Sequence, residues 1–236
     1  ISNGSINLSY CHVSANPTVT ECDKCADILR QNHCDFVVAM GGGSVMDCAK
    51  AAATFCMTND QSTGFLGTGK AIPESHLPLI AVPTTAGTGS EVTCVSVLSD
   101  HKRGIKAPMN SNGFYPTVAI IDPELTYTVP PHTTACTGFD VLCHSIEAYW
   151  NIHHQPISDA LAIHATRLAL DNITQAYDNP QNKQARENMA EASVTAGLAF
   201  NMPKTTSAHA CSYPLTNLLG IAHGEACAMT ITHFIR

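Results

Sequence analysis

A short apolar run that passes directly into three consecutive glycines is the feature that most constrains the fold of this chain. Residues 34–40 end in Phe-Val-Val-Ala-Met, the kind of continuous apolar strand that a parallel sheet buries on both faces. Glycines occupy positions 41–43, and a helical pattern continues through residues 48–57. A second apolar strand at 78–82 leads into a loop of glycines and hydroxyl residues at 83–91. This order of strand, loop and helix predicts an α/β fold with a parallel sheet.

The three glycines have two interpretations. Glycine lets the backbone approach a phosphate, the N-terminus of the following helix favours an anion, and open α/β sheets bind ligands at the carboxyl ends of their strands. The run matches neither of the common nucleotide-binding patterns, however, and Ser44 with Asp47 has the spacing of a capping box. Three glycines exceed what a cap requires, which favours a phosphate site. Simple capping, and an ordinary polar loop at 83–91, stay open as alternatives.

The chain changes character near residue 128. Upstream of it we expect a helix at 19–31 and further strands at 92–98 and 117–121. Downstream of it, long helical patterns run through residues 133–150, 156–178 and 181–200, with breaks at Pro156 and Pro180. We therefore predict an α/β domain at residues 1–128 and an all-α domain at residues 129–236.

One of these helical patterns carries a carboxylate and an imidazole one turn apart. Asp140 and His144 are spaced i, i+4, so they share a helix face. His209 and His223 lie in a later segment of small and apolar residues. One carboxylate and three imidazoles suit a divalent first-row metal ion. The alternative is that Asp140 and His144 form only a surface pair on the helix.

Charge and apolar run length exclude two classes of partner. Twelve Lys and Arg residues against nineteen Asp and Glu residues give a net charge of -7, which offers no basic stripe for nucleic acid. The apolar runs are too short to cross a bilayer, and no signal-peptide pattern opens the chain. We expect a soluble protein of the cytoplasm.

Eleven cysteines are scattered singly through the chain, which favours reduced thiols over a disulfide framework. Cys22 and Cys25 have the spacing of a redox or zinc motif, but no second pair accompanies them. The chain begins at Ile1 without a methionine and stops at Arg236 directly after an apolar run. We therefore expect a fragment of a longer protein.

Four segments together resemble the iron-containing (group III) alcohol dehydrogenase family. They are residues 41–47 (GGGSVMD), residues 83–91 (PTTAGTGSE), residues 138–149 (GFDVLCHSIEAY) and the pair His223-Gly224. The resemblance implies a Rossmann-like NAD(P)-binding domain followed by a helical metal-binding domain, an architecture similar to that of dehydroquinate synthase. It also implies that the first strand and the last helices of the family lie outside this sequence.

The resemblance assigns roles to residues one by one. By it, the metal ligands are Asp140, His144, His209 and His223, and the cofactor-binding residues are Gly42, Gly43, Ser44, Asp47, Thr84, Thr85, Thr88 and Lys106. Many family members carry another histidine four residues after the third ligand, where this chain has Tyr213. That departure resembles the branch of phosphonoacetaldehyde reductases, in which Tyr213 would act in catalysis and Lys204 would hold an anionic substrate tail. A plain surface role for Lys204 stays open.

The function implied is a hydride transfer between NAD or NADP and a small primary alcohol or aldehyde. A metal ion, Fe(II) or alternatively Zn(II), would polarise the substrate oxygen, and phosphonoacetaldehyde is a candidate substrate. We expect a homodimer or a higher homo-oligomer. Two alternatives stay open, namely a lyase similar to dehydroquinate synthase and the alcohol dehydrogenase half of a bifunctional aldehyde-alcohol dehydrogenase.

Overall fold

The computed structural model describes residues 7–235, in which a parallel sheet and a β-hairpin precede a bundle of helices. The elements of the first half are α1 Val19–Gln31, β1 Val37–Gly41, α2 Gly43–Phe55, β2 Leu79–Pro83, β3 Val95–Asp100, β4 Ile105–Asn110 and β5 Val118–Ala119. The helices of the second half are α3 Pro131–Trp150, α4 Pro156–Asp178, α5 Lys183–Phe200, α6 Ser207–Leu219 and α7 His223–Ile231. The α/β-then-helical order predicted from the sequence is confirmed.

The parallel sheet has the strand order β1-β2-β5. Its first two strands pair in register from Val37 with Leu79 to Gly41 with Pro83, so their carboxyl ends lie side by side. The expectation that β1 is buried on both faces is wrong, because Val38 and Met40 are 52% and 60% exposed. Among the described residues, β1 is an edge strand of this sheet, and those two side chains are not covered by any helix.

Two other strands are shorter or later than the sequence predicts. The strand predicted at 92–98 begins at Val95, because Gly89 adopts φ 59° and a turn of 3₁₀ helix occupies Ser90–Val92. The strand predicted at 117–121 has only two paired residues, Val118 and Ala119. It ends early because Asp122 caps a second 3₁₀ turn that begins at Pro123.

Of the two helices in the first half, one begins at its predicted residue and the other begins earlier than predicted. Helix α1 spans the predicted residues 19–31, and a capping box between Thr18 and Glu21 closes its first turn. Helix α2 begins at Gly43, five residues earlier than its apolar pattern, with Gly42 as N-cap and no side-chain cap. The alternative reading of Ser44 and Asp47 as a capping box is therefore wrong.

Helices α3, α4 and α5 begin and end within two residues of the predicted spans and pack around a shared apolar core. Small residues such as Ala165, Ala169 and Ala192 fill that core, which lets the three helices approach closely. The last two helices, α6 and α7, pack against α3 through a cluster that contains Cys143 and Cys227. No helix in the described part of the chain is long and apolar enough to cross a membrane.

The expectation that all cysteines are reduced is wrong for one pair. Cys11 is disulfide-bonded to Cys25, with the two Cα atoms 5.9 Å apart. Cys11 lies in the segment before α1 and Cys25 lies within that helix, and Ser14 of the same segment donates to the Glu21 carboxylate of α1. Cys22, the other half of the predicted redox or zinc motif, is a buried free thiol, so the motif does not act as a unit here.

Candidate active site

A cavity of about 620 Å³ lies where the carboxyl ends of β1 and β2 face the helical half. Thirteen of the fourteen site residues predicted from the sequence line it. They are Gly42, Gly43, Ser44, Asp47, Thr85, Thr88, Lys106, Asp140, His144, Lys204, His209, Tyr213 and His223. Thr84 does not line the cavity, and its backbone N–H donates to the carbonyl of Gly41, which ties the loops after β1 and β2 together.

One end of the cavity is the N-terminus of α2. No side chain caps this end in the described structure, and the Val45 amide donates to the Gly42 carbonyl, so the amides of Gly43 and Ser44 and the positive end of the helix dipole are left for a ligand in the cavity. Glycine is required at position 43, because a Cβ atom there would come within 2.5 Å of Thr88 Cγ2. The two loops at this end pack tightly against each other, and the arrangement suits an anion.

Asp47 and Ser44 hold loops in place in this structure. The Asp47 carboxylate accepts hydrogen bonds from Ser90 Oγ at 2.6 Å and from the Val97 amide at 2.8 Å. Burial raises the pKa of Asp47, although the neighbouring Lys50 ammonium opposes that rise. Ser44 Oγ accepts a hydrogen bond from the Asn16 amide at 3.2 Å. Lys106 Nζ donates to Asn16 Oδ1 at 2.7 Å, and burial lowers the pKa of this ammonium.

The other end of the cavity holds a cluster of carboxylate, imidazole and thiol groups. One ligand atom from each of Asp140, His209, His223 and Cys227 lies within 4.8 Å of the others. Asp140 Oδ1 is 3.4 Å from His209 Nε2 and 3.8 Å from His223 Nε2. Helices α3, α6 and α7 each contribute to this cluster, so the packing of α6 and α7 on α3 brings distant parts of the sequence together.

His144, the fourth predicted ligand, lies beside this cluster. Its Nδ1 atom is 3.9 Å from Asp140 Oδ2, and its ring stacks between those of Phe200 and His209, with centroids 4.2 Å and 4.4 Å away. The compact group of four ligand atoms therefore contains Cys227 in place of the predicted ligand His144. Cys227 was missed, although it is four residues after His223 and therefore on the same helix face.

The cluster contains polar atoms that the protein itself does not satisfy. Among the described residues, six buried side-chain nitrogen or oxygen atoms lack a hydrogen-bond partner, and three of them are Asp140 Oδ1, His144 Nδ1 and His209 Nε2. Buried polar groups are normally paired, and leaving one unpaired costs roughly 1–3 kcal/mol. A divalent cation bound by these three atoms would satisfy all of them, so the residues present fit a metal ion.

Burial and neighbouring charges set the protonation of the cluster. Burial lowers the pKa of both His144 and His223 to about 4, although Asp140 opposes the shift. Burial would raise the pKa of Asp140, but the imidazoles of His144 and His223 outweigh it and lower that pKa below its ordinary range. An ionised carboxylate beside two neutral imidazoles is the state in which these groups bind a metal.

Glu147 is a further candidate site residue, which the sequence analysis did not identify. It is fully buried on α3, its Oε2 atom contacts His209 Nδ1, and its Oε1 atom accepts hydrogen bonds from Thr206 Oγ1 at 2.7 Å and the Ala208 amide at 2.8 Å. Burial would lower the pKa of His209, but the carboxylates of Asp140 and Glu147 raise it well above its ordinary value. Glu147 could have been identified from the sequence, because it lies seven residues after Asp140 and therefore on the same helix face.

Tyr213 and Lys204 lie in the cavity wall near the cluster. The Tyr213 ring stacks on that of His223 with centroids 5.9 Å apart, and burial raises the pKa of its phenol. Lys204 adopts φ 71°, and its Nζ atom donates to the Asn201 carbonyl at 2.6 Å. The same Nζ atom lies 3.6 Å from Cys94 Sγ, and the Lys204 residue lines the cavity.

Comparison with known proteins agrees with this arrangement. Residues 2–123 match the family profile described as iron-containing alcohol dehydrogenase, and residues 134–236 match the C-terminal profile of the same family. Alcohol dehydrogenase 4 of Schizosaccharomyces pombe is 37% identical over 224 residues, covering 95% of this chain and 53% of that protein. Sulfoacetaldehyde reductase of Bilophila wadsworthia is 37% identical over 217 residues, covering 92% of this chain and 56% of that protein.

Solved structures give the same result. The sulfoacetaldehyde reductase of Bifidobacterium kashiwanohense, solved in complex with NAD+, superposes with a TM-score of 0.91 and 62% sequence identity, covering 94% of this chain and 59% of that one. The chain thus spans between half and three fifths of the length of these relatives. With two family profiles matched in order over nearly its whole length, the chain belongs to the iron-containing alcohol dehydrogenase family.

Proposed function

We propose that the protein containing this chain is a metal-dependent, NAD(P)-linked alcohol dehydrogenase or aldehyde reductase. The observation that carries this proposal is a single cavity with two dissimilar ends, the uncapped N-terminus of α2 and the unsatisfied polar atoms around Asp140. The first end suits the pyrophosphate of a dinucleotide, and the second suits a divalent cation. The names of the relatives, alcohol dehydrogenases and aldehyde reductases, support the same activity.

We assign Asp140, His144, His209 and His223 as the ligands of one divalent ion. The family name favours iron, whereas the usual affinity order for nitrogen and oxygen ligands favours Zn(II). Cys227 adds a soft donor beside this set, which strengthens the case for Zn(II) when both ions are supplied. Metal analysis of anaerobically purified full-length protein, before and after each ion is restored, tests the assignment.

We assign the other end of the cavity to the nucleotide. Gly42, Gly43 and Ser44 would contact the pyrophosphate, with Thr85, Thr88 and Lys106 along the remaining wall. Asp47 and Thr84 would contribute by holding the loops, because their hydrogen bonds are made to protein groups. The NAD+ complex of the 62% identical relative favours NAD over NADP.

The roles of this chain's residues in the reaction follow from their surroundings. When bound, the ion would supply Lewis acidity at the substrate oxygen, and the nicotinamide would accept or donate the hydride. A tyrosine phenol is protonated at neutral pH, and burial raises the pKa of Tyr213 further, so this phenol can donate a hydrogen bond to the substrate. The apolar side chains of Val95, Val97 and Phe200 exclude water from the same cavity.

For the substrate we propose a short aldehyde with an anionic tail. Lys106, Lys204 and Thr205 all line the cavity, so its wall includes two basic residues and a hydroxyl residue. Such a wall suits a sulfonate or a phosphonate. The name of the 62% identical relative favours sulfoacetaldehyde over phosphonoacetaldehyde.

A screen of NADH consumption by the full-length protein tests this function. We expect the highest kcat/KM for sulfoacetaldehyde, and we expect Lys204→Met to lower it at least about tenfold while propanal reduction stays unchanged. Lys70→Met, an exposed lysine outside the cavity, is the matched control. A preference for propanal would refute the anionic tail. Failure of every aldehyde and alcohol to change NADH would refute the dehydrogenase and favour the lyase alternative.

We also propose three properties of the whole protein. We retain the domain boundary near residue 128, since β5 ends at Ala119 and α3 begins at Pro131. We also propose a homodimer or higher homo-oligomer and a location in the cytoplasm. Limited proteolysis, sedimentation of the full-length protein and cell fractionation test these properties separately.

A further inference from the structure

We propose that His132, Cys136 and Glu225 form a second site for a divalent ion of the zinc class, separate from the site around Asp140. One ligand atom from each of the three lies within 4.8 Å of the others. Imidazole, thiolate and carboxylate together are a donor set that Zn(II) accepts. None of these residues lines the cavity described above, so the proposed function makes no use of them.

Two of the three distances between these ligand atoms match those of a coordination sphere. His132 Nε2 is 3.6 Å from Cys136 Sγ and 3.8 Å from Glu225 Oε2. Around a tetrahedral ion with bonds of about 2.0–2.3 Å, neighbouring ligand atoms are about 3.3–3.8 Å apart. An ion could therefore be bound without rearrangement of the backbone.

The helix packing holds the three side chains in this position. His132 and Cys136 are one turn apart at the start of α3, and Glu225 lies in the first turn of α7. The two helices are in close contact here, since a Cβ atom added to Gly224 would collide with the Cys136 carbonyl. Because both helices also carry Asp140 and His223, the same packing that forms the first site presets the second.

Burial distinguishes this site from a buried structural zinc site. Cys136 is 9% exposed, whereas the side chains of His132 and Glu225 are 72% and 48% exposed. A hydrated ion can therefore reach the site from solvent, with water completing the coordination. Bound there, the ion would fix the first turn of α7, which includes His223, against α3.

Metal titration of the full-length protein with its first ion already bound tests the proposal. With Co(II) as the probe, we expect uptake of one further ion per chain and a thiolate-to-cobalt charge-transfer absorption. Cys136→Ser, His132→Asn and Glu225→Gln should each abolish the second uptake while the first ion is retained, and retention of that ion shows that the variant is folded. Cys211→Ser, an exposed free cysteine on α6, should keep both ions.

Two results would overturn the second site. One is uptake of only one ion per chain by the unsubstituted protein. The other is a charge-transfer absorption that persists in Cys136→Ser and disappears in Cys227→Ser, because the thiolate would then belong to the first site. Neither result affects the proposed dehydrogenase activity, which is measured separately by NADH consumption.

Discussion

Glu147 is the residue through which α3 holds His209 in position. A carboxylate that accepts from Nδ1 leaves Nε2 as the atom available to a metal, which is the usual arrangement behind a ligating histidine. We predict that Glu147→Gln lowers the affinity for the catalytic ion by about 10–100-fold. Competition with a chelator measures it. Glu191→Gln, which alters an exposed His–Glu pair with His164, should leave the affinity unchanged; an equal loss in both variants would contradict the role of Glu147.

The raised pKa of His209 predicts a pH effect of definite sign. At neutral pH His209 is protonated in the metal-free protein, whereas His144 and His223, with pKa values of about 4, are neutral. Binding of the ion should therefore release about one proton, and affinity should rise with pH until His209 is deprotonated. Calorimetry in buffers of different ionisation enthalpy measures the release. A titration at pH 7 with no proton release would show that His209 is already neutral.

The sequence selected the candidate metal ligands but not the residues that contact them. Asp140, His144, His209 and His223 could be selected because their residue types and the helical spacing of the first two point to one chemistry. Glu147 and Cys227 carried the same helical spacing, but a glutamate on a helix is usually solvated and a cysteine beside alanines is usually core. Only the packing of α6 and α7 on α3 shows that both meet the histidines.

Among the elements, α2 depends on the absence of a side chain at position 43. We predict that Gly43→Ala weakens NADH binding by about tenfold or more, because relieving the contact with Thr88 costs about 1–3 kcal/mol and displaces the loop that faces the nucleotide. Fluorescence titration with NADH measures this affinity. Gly64→Ala is the control, since a Cβ there meets no atom within 4 Å. Unchanged NADH affinity in Gly43→Ala would refute the assignment of this loop.

Helix α1 depends on its capping box. Thr18→Ala should lower the free energy of unfolding by about 1 kcal/mol, measured by urea denaturation, because it removes the acceptor for the Glu21 amide. Thr20→Ala, exposed in the same turn, should change it by less than about 0.5 kcal/mol. Equal effects of the two substitutions would show that the cap contributes nothing.

The acid sensitivity of α1 follows from Glu21. Burial would raise its pKa, but hydrogen bonds from Ser14 and Thr18 lower it to about 2. A carboxyl group whose pKa is lower in the folded than in the unfolded chain stabilises the fold at pH values above its unfolded pKa. That stabilisation is lost as the pH falls from about 4.5 towards 2. In urea denaturation, the difference in free energy of unfolding between the chain and its Glu21→Gln variant should therefore decrease over this range. A constant difference would contradict the role of the carboxylate.

The elements differ in how far they could be predicted. Helix α1 was predicted to the residue because its apolar period and its N-terminal signals coincide. The start of α2 was not predicted, because glycine has the lowest helix propensity after proline. In the structure, Thr88 leaves no room for a Cβ atom at position 43, so glycine is needed there despite its low propensity. The exposure of Val38 and Met40 in β1 could not be predicted either, since an apolar run does not indicate which elements cover it.

For the whole molecule, the order of the motifs carried more information than any one of them. Gly43 and His223 are far apart in the sequence, yet both line one cavity, because the parallel strands end at the face that α3, α6 and α7 cover. The disulfide between Cys11 and Cys25 shows the limit of this reasoning. Cysteine spacing carries no information about which thiols the fold brings together.

The central claim is that four side chains from three helices bind one ion opposite a nucleotide site. Anomalous diffraction at the iron and zinc edges, from crystals of anaerobically prepared full-length protein with NAD+, tests it most directly. We predict one peak about 2.0–2.2 Å from an oxygen of Asp140 and from ring nitrogens of His144, His209 and His223. Absence of a peak among these residues, or a peak bound by Cys227 with His144 turned away, would contradict the account.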